Sequence, residues 1–158
     1  MNKSISLDQN KLRTYIDQVG YKKDDILSDL RRVTESLGDI SIMQIGQTQG
    51  SLIEMLCRIG GFSKCIEIGV FTGYSSICIA KGIPEDGKLY ALDNSIEFID
   101  IAKEYWTKSG CDKKIELIKS NINSVDDIDN CVKYILMKEG TLDILINNAC
   151  IGFTCPIE

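Results

Sequence analysis

The sequence predicts an α/β fold built around a parallel sheet. Short, continuous apolar runs such as Cys65–Ile68 alternate with segments of helical periodicity. This pattern is typical of strands in a parallel sheet that is covered by helices on both faces. A turn holding Gly69 and Gly73 follows the first run, and an acid, Asp93, ends the second. These features predict a strand, glycine turn, helix and strand that grip an adenosine-containing ligand.

Helices are predicted ahead of the first strand, from three apolar stripes at helical spacing. The second stripe ends at Gly38, and the third follows a loop at 43–46 and ends at Gly60–Gly61. The stripe residues are Leu12, Tyr15 and Ile16; Ile26, Leu30, Val33 and Leu37; and Leu52, Ile53, Leu56 and Ile59.

Strands and helices are predicted to alternate from there onward. Ser124, with Asp127 three residues later, opens the last helix as a capping-box-like start, and Gly140 closes it. The predicted buried face of that helix is Ile128, Val132, Ile135 and Leu136. The predicted elements are strand 65–68, helix 74–82, strand 88–92, a helix from near 95 to 110, strand 115–118, the helix from 124 and strand 142–147.

Composition predicts one globular cytoplasmic domain. The chain has 158 residues, of which 44% are hydrophobic and 26% charged. A net charge of −5 supplies no basic stripe for nucleic acid or an anionic membrane. No apolar run approaches the roughly 20 residues of a bilayer span, and the N-terminus lacks a secretory core. Seven cysteines without a CxxC pair predict reduced core thiols. Histidine is absent, so catalysis would rest on carboxylates, lysine, tyrosine or an oxygen-held metal.

The turn from Glu67 to Ser75 favours S-adenosylmethionine over a dinucleotide. A pyrophosphate site needs closely spaced glycines, and Phe71 stands here at the middle glycine position. Glu67 would repel pyrophosphate but suits a cationic amino-acid end, and Asp93 can hold a ribose diol. The alternative is an ordinary strand-end acid beside a tight turn.

Several stretches together carry a family resemblance. They include Glu67–Ser75, Pro84–Gly87, Ala91–Asp93 and Ala102–Trp106. With them the chain resembles, over about residues 27–119, class I S-adenosylmethionine-dependent O-methyltransferases of the catechol/caffeoyl-CoA type. The resemblance implies a Rossmann-like three-layer sandwich, truncated here to about four parallel strands. It also implies methyl transfer to a hydroxyl of a small aromatic substrate.

The resemblance assigns cofactor contacts to matching positions. Ser75 would bind the carboxylate of the cofactor, Asp93 its ribose, and Ile45 would approach from the loop before the third helix. The implied cofactor-binding set is Ile45, Glu67, Gly69, Val70, Gly73, Ser75 and Asp93.

The metal and base positions of that family do not match. The family's fourth strand ends in Asp-x-Asp-Lys, where acids hold a divalent metal such as Mg²⁺. The alignment places Asn148, Cys150 and Ile151 there, and the chain stops at Glu158, before a fifth strand. The family's metal ligands are therefore not present in this sequence, and the catalytic residues are not assigned.

The C-terminal segment instead resembles short-chain dehydrogenases. Leu142–Ala149 reads Leu-Asp-Ile-Leu-Ile-Asn-Asn-Ala, and Cys150 replaces the glycine of their Asn-Asn-Ala-Gly signature. A fusion of a methyltransferase-like part with a dehydrogenase-like part near residue 120 is favoured over sequence divergence of the fourth strand. The single domain would then comprise a helical lead (1–62), a cofactor-binding core (63–119) and a dehydrogenase-like helix and strand (120–158).

Three functions stay open at this point. The favoured one is a truncated or chimeric O-methyltransferase, either active or inactive. The others are a non-catalytic cofactor-binding module and, less favoured, an NAD(P)-dependent oxidoreductase fragment.

The first strand is expected at the centre of the sheet, and the fourth would form an uncovered edge. That edge predicts a homodimer or a completing partner chain.

Overall fold

A computed structural model of the chain describes residues 8–95, 97–121 and 123–141. In these ranges the fold is an α/β arrangement with three parallel strands. The helices are α1 (Gln9–Val19), α2 (Asp25–Glu35), α3 (Gln47–Gly60), α4 (Tyr74–Gly82), α5 (Glu97–Lys108) and α6 (Val125–Glu139). The strands are β1 (Lys64–Ile68), β2 (Lys88–Asp93) and β3 (Ile115–Lys119), and short 3-10 turns cover Gly38–Met43 and Asp112–Lys114.

The sheet has the strand order β1-β2-β3, and both pairs are parallel. Ile68 pairs with Leu92, which pairs in turn with Ile118, so the carboxyl ends of all three strands meet at one edge. As expected, β2 and β3 lie on one side of β1. The predicted fourth strand, 142–147, lies outside the described residues.

Successive side chains of β2 point to opposite faces, which places the sheet between two layers of helices. Leu89 and Ala91 enter the larger apolar cluster, which α2 to α5 share. Tyr90 and Leu92 enter a smaller cluster on the other face, packed against α6. The contacts from α6 are Cys131 and Ile135. The predicted three-layer α/β class is confirmed.

The helix faces differ in part from the predicted stripes. In α2 the prediction is right at Leu30, which is fully buried. In α3 the prediction is wrong at Leu52, Leu56 and Ile59, which are exposed, whereas Ile53 is partly buried against the core. Gly50 is the reason, since a Cβ there would lie 2.8 Å from the Cys78 sulfur. Its missing side chain lets α3 approach α4 through the face of Gly50 and Cys57, which turns the predicted stripe outward.

The first and last helices need the same correction. None of the residues of α1 is buried, so the predicted stripe of Leu12, Tyr15 and Ile16 is exposed. In α6 only Ile135 of the predicted face is buried, and the helix reaches the sheet through Cys131 and Ile135. The exposed remainder of the predicted face is Ile128, Val132 and Leu136. No helix in the described ranges combines the length and the apolar content that a membrane span requires.

Candidate functional site

The turn between β1 and α4 lies at the carboxyl edge of the sheet, and three of its residues have a left-handed backbone conformation. Gly69 has φ 90°, Phe71 has φ 53° and Gly73 has φ 83°. The amide of Gly69 donates to the carbonyl of Leu92 at 2.9 Å, which fixes the start of the turn to β2. Phe71 is a non-glycine residue in this region, where side chains are disfavoured. Its ring packs against the Phe98 ring, with centroids 4.9 Å apart.

The two glycines of the turn have different reasons to lack a side chain. At Gly69 an added Cβ would meet no atom within 4 Å, so the positive φ alone favours glycine and the space above it is open. At Gly73 an added Cβ would lie 2.7 Å from Trp106 Nε1 and 2.8 Å from the Ala102 Cβ. Close packing of α5 therefore requires Gly73, while Gly69 leaves room for a ligand.

Asp93, at the end of β2, ties the turn to the sheet. Its Oδ2 accepts hydrogen bonds from the amides of Val70 (2.8 Å) and Phe71 (3.1 Å). Its Oδ1 accepts from the amide of Ser95 at 2.8 Å. A carboxylate offers about four acceptor sites, so these three bonds leave about one acceptor site for a ligand hydroxyl. The sequence predicted a ligand contact at Asp93 but not this structural role.

Glu67 is the buried acid of the site. The residue is 8% exposed, the hydroxyl of Ser76 donates to its carboxyl group, and the hydroxyl of Ser75 is near enough to lower its pKa. Burial raises the pKa of Glu67 to about 7, the two serine hydroxyls oppose the rise, and the negative charge of Asp93 adds to it. The carboxyl group therefore changes charge near neutral pH. A cationic ligand group beside it would favour the ionised form. Two predicted site residues, Glu67 and Ser75, thus lie together.

The loop before α3 is fixed against the same turn by buried polar groups. The Gln44 side-chain amide donates to the hydroxyls of Thr34 (2.8 Å) and Thr72 (3.1 Å), and those hydroxyls lie 2.9 Å apart. Thr72 belongs to the glycine turn. The carbonyl of the neighbouring Ile45 accepts from the Arg31 guanidinium. The sequence did not predict this network, although a threonine within an apolar helix stripe was an available signal for Thr34.

The carboxyl end of β3 brings a further polar group to this edge. The amide of Ser120 donates to the carbonyl of Asp93 at 3.2 Å. The Ser120 hydroxyl is buried, and no group of the described chain hydrogen-bonds to it. Buried hydroxyls normally have a partner, so a ligand at this edge would satisfy it. The sequence did not predict a ligand contact at Ser120.

A metal site is not formed by the described residues. Within 8–95, 97–121 and 123–141, no three His, Cys, Asp or Glu side chains are grouped so that they could hold a metal ion. Asn148, Cys150 and Ile151, which align with the family's metal and base positions, lie outside these ranges.

The layers, the glycine turn and the paired acids define a Rossmann-like methyltransferase fold. A solved O-methyltransferase from Bacillus cereus, in complex with SAH, superposes with a TM-score of 0.67 at 26% identity. The match covers 76% of this chain and 55% of that one.

The O-methyltransferase family profile matches residues 17–145, and the chain belongs to this family. Its relatives include a caffeoyl-CoA O-methyltransferase of Stellaria longipes, 34% identical over 77% of this chain and 52% of the relative. A flavonoid 3',5'-methyltransferase of Vitis vinifera is 37% identical over 69% of this chain and 45% of the relative. The chain thus spans about half the length of the curated relatives it matches. The family match also includes α6, which the sequence analysis had assigned to the dehydrogenase-like segment.

Proposed function

We propose that this chain binds S-adenosylmethionine at the carboxyl edge of β1 and β2 and serves methyl transfer to a hydroxyl of a small aromatic acceptor. The observation that carries the proposal is Glu67, a buried acid whose pKa lies near 7 beside an open glycine turn. A buried carboxyl group of this kind is poised to pair with the ammonium group of the cofactor. Caffeoyl-CoA and flavonoid methyltransferases among the relatives support an aromatic acceptor.

Each residue of the site has a distinct task in this proposal. Glu67 accepts the ammonium of the methionine moiety, and Ser75 turns its hydroxyl toward the carboxylate. Asp93 uses its remaining acceptor site for one of the ribose hydroxyls, while the turn at Gly69 and Val70 lets the methionine chain approach the backbone. Ile45 contacts the cofactor from the loop fixed by Gln44. When bound, the cofactor supplies an electrophilic methyl group for in-line attack by the acceptor oxygen.

The second candidate function is cofactor binding without catalysis. At the positions that align with the family's two acids and lysine stand Asn148, Cys150 and Ile151, which supply neither a carboxylate nor an amine. A truncated or chimeric chain, with a dehydrogenase-like end, would bind the cofactor and require a partner to complete the acceptor site. An NAD(P)-dependent oxidoreductase is the least favoured candidate, because Glu67 opposes a diphosphate.

Calorimetry with S-adenosylhomocysteine and with NAD⁺ tests the binding proposal. We expect binding of S-adenosylhomocysteine only, weakened at least tenfold by Asp93→Asn and unchanged in the exposed control Glu35→Gln. Absence of S-adenosylhomocysteine binding, or preference for NAD⁺, would refute the proposal.

Methyl transfer from labelled S-adenosylmethionine to catechol, with and without Mg²⁺, then separates the two candidates. Turnover that depends on Mg²⁺ supports the enzyme, whereas binding without turnover supports the module.

The predicted homodimer or completing partner and the cytoplasmic location belong to the same proposal. Several apolar side chains of α3 are exposed, and a surface of this kind favours contact with another protein surface. They are Leu52, Met55, Leu56 and Ile59. Sedimentation at high concentration tests this part, and a monodisperse monomer would contradict self-association. The described cysteines are free thiols, which fits a reducing compartment.

A further inference from the structure

A buried polar network joins three separate parts of the chain around the proposed cofactor site. Thr34 comes from α2, Gln44 from the loop that carries Ile45, and Thr72 from the glycine turn. These residues are 10 to 38 positions apart along the chain. The two threonines are almost completely buried, at 1% and 0% exposure. Hydrogen bonds between such distant segments set the position of the loop relative to the turn.

Thr34 is the centre of this network. Its hydroxyl lies 2.8 Å from the Leu30 carbonyl and 2.9 Å from the Thr72 hydroxyl, and a hydroxyl has only one proton to donate. When Thr34 donates to Leu30, Thr72 can donate to Thr34, and the Gln44 amide donates to both threonines. The opposite direction would leave the Thr72 proton without an acceptor in the described part of the chain. The Thr34 hydroxyl thus takes part in three of the four hydrogen bonds.

Apolar packing does little to fix the residues around Gln44. Ile42 and Met43, which precede it, are 88% and 55% exposed. Ile45 is partly buried against the larger apolar cluster, and its carbonyl accepts from the Arg31 guanidinium of α2. Segments with few buried apolar contacts open easily. Polar bonds from α2 therefore contribute much of what holds this loop in place.

The turn that the network contacts has its own anchor in the sheet. The amides of Val70 and Phe71 donate to the Asp93 carboxylate at the end of β2, and the amide of Gly73 donates to the carbonyl of Val70. Thr72 lies inside this short turn, and its side chain contacts α2 through Thr34. The loop is thus attached to a part of the site that β2 already fixes.

From this arrangement we infer that Thr34 and Gln44 are positioning residues, which hold the loop of Ile45 against the glycine turn before the cofactor binds. The inference rests on the proposed function, because Ile45 and the turn are two sides of the proposed cofactor site. Neither residue has to touch the cofactor. Binding to a site whose walls are already ordered avoids the free-energy cost of ordering them. The network therefore raises the affinity for the cofactor.

Thr34→Val tests the inference, because valine has nearly the shape of threonine and lacks its hydroxyl. Calorimetry with S-adenosylhomocysteine should show binding about tenfold weaker than in the wild type, which corresponds to about 1.4 kcal/mol. Thr34→Ser, which keeps the hydroxyl, should restore an affinity close to that of the wild type. Equal affinities of the wild type and Thr34→Val would overturn the inference.

A second substitution cuts the same network from the side of the loop. Gln44→Met keeps the length of the side chain and removes its amide donors. Because both changes act on one network, the double variant should bind little more weakly than either single variant. Ile135→Val, which shortens a buried side chain on the opposite face of the sheet, is the control for a general loss of stability. A similar loss of affinity in this control would reduce Thr34 to a structural residue and overturn the inference.

Hydrogen exchange of the ligand-free protein tests the positioning role without the cofactor. In Thr34→Val the amides of 43–46 should exchange faster, while those of β2 exchange as in the wild type. Equal protection of the loop in both proteins would refute the positioning role. Failure of the wild type to bind S-adenosylhomocysteine would refute the proposed function and, with it, the benefit to the cofactor. Wild-type binding without any change in Thr34→Val would refute this inference alone.

Discussion

The Glu67→Gln variant should remove a pH-dependent loss of stability from this protein. Glu67 is buried at the end of β1, and burial raises its pKa to about 7 from an ordinary value of 4.5. The folded state therefore keeps a proton that the unfolded state releases between these two pH values. Glutamine has nearly the same shape, can still hydrogen-bond to Ser76, and carries no charge at any pH.

The sign of the effect follows from proton linkage. Because the folded state binds more protons than the unfolded state in this window, wild-type stability falls as pH rises from about 4.5 to about 7. At about 1.4 kcal/mol per pKa unit, the loss amounts to about 3 kcal/mol once Glu67 is fully ionised. The variant should match the wild type near pH 5 and exceed its free energy of unfolding by up to that amount at pH 8.

Urea unfolding followed by tryptophan fluorescence measures this difference. Trp106 is the single tryptophan of the chain and is buried against the glycine turn, so its emission reports on the site. Glu35→Gln, which removes an exposed carboxyl group from α2, is the matched control. A constant difference between wild type and Glu67→Gln from pH 5 to pH 8 would refute the reasoning.

Other substitutions test the remaining parts of the structure. Asp93→Asn should destabilise the fold by about 2 kcal/mol, since charge-assisted bonds to the turn amides weaken; an unchanged urea midpoint would contradict this. Gly73→Ala combines a positive φ with a Cβ 2.8 Å from that of Ala102, and should cost about 2 kcal/mol in thermal unfolding. Gly110→Ala has a similarly positive φ of 70° but open space around the added Cβ, and serves as the control that isolates the clash. Leu30→Ala empties a fully buried position and should cost about 2–5 kcal/mol in urea unfolding.

The strands could be predicted closely because their signal is local. The expected strand 65–68 compares with Lys64–Ile68 in the structure, and 115–118 with Ile115–Lys119. Each is a short, mainly apolar run that contains one glutamate, Glu67 or Glu116, as is typical of strands in a parallel sheet covered by helices. The buried faces of the helices were harder to predict, because the face that is buried depends on which neighbour a helix packs against. For α3 a single small residue, Gly50, decides this, and apolar periodicity alone does not reveal it.

The candidate site, too, could be predicted from the sequence only in part. Spacing along the chain was enough to predict the glycine turn and to place Glu67 and Asp93 at one edge of the sheet. It did not predict the contact between Thr34 and Thr72, because these hydroxyls meet only when α2 packs against the turn. The structural role of Asp93 was missed for a related reason. Its partners at Val70 and Phe71 are backbone amides, which the amino-acid sequence does not distinguish.

The hydrogen bonds of the turn bear directly on which ligand it can accept. In dinucleotide-binding turns, backbone amides point at phosphate oxygens. Here the amide of Gly69 donates to Leu92, those of Val70 and Phe71 donate to Asp93, and that of Gly73 donates to the carbonyl of Val70. Four amides that a diphosphate would need are thus already occupied, and two acidic side chains, Glu67 and Asp93, lie at the same edge of the sheet. A ligand with a cationic group and free hydroxyls fits these constraints, because it requires acceptors from the turn and not donors.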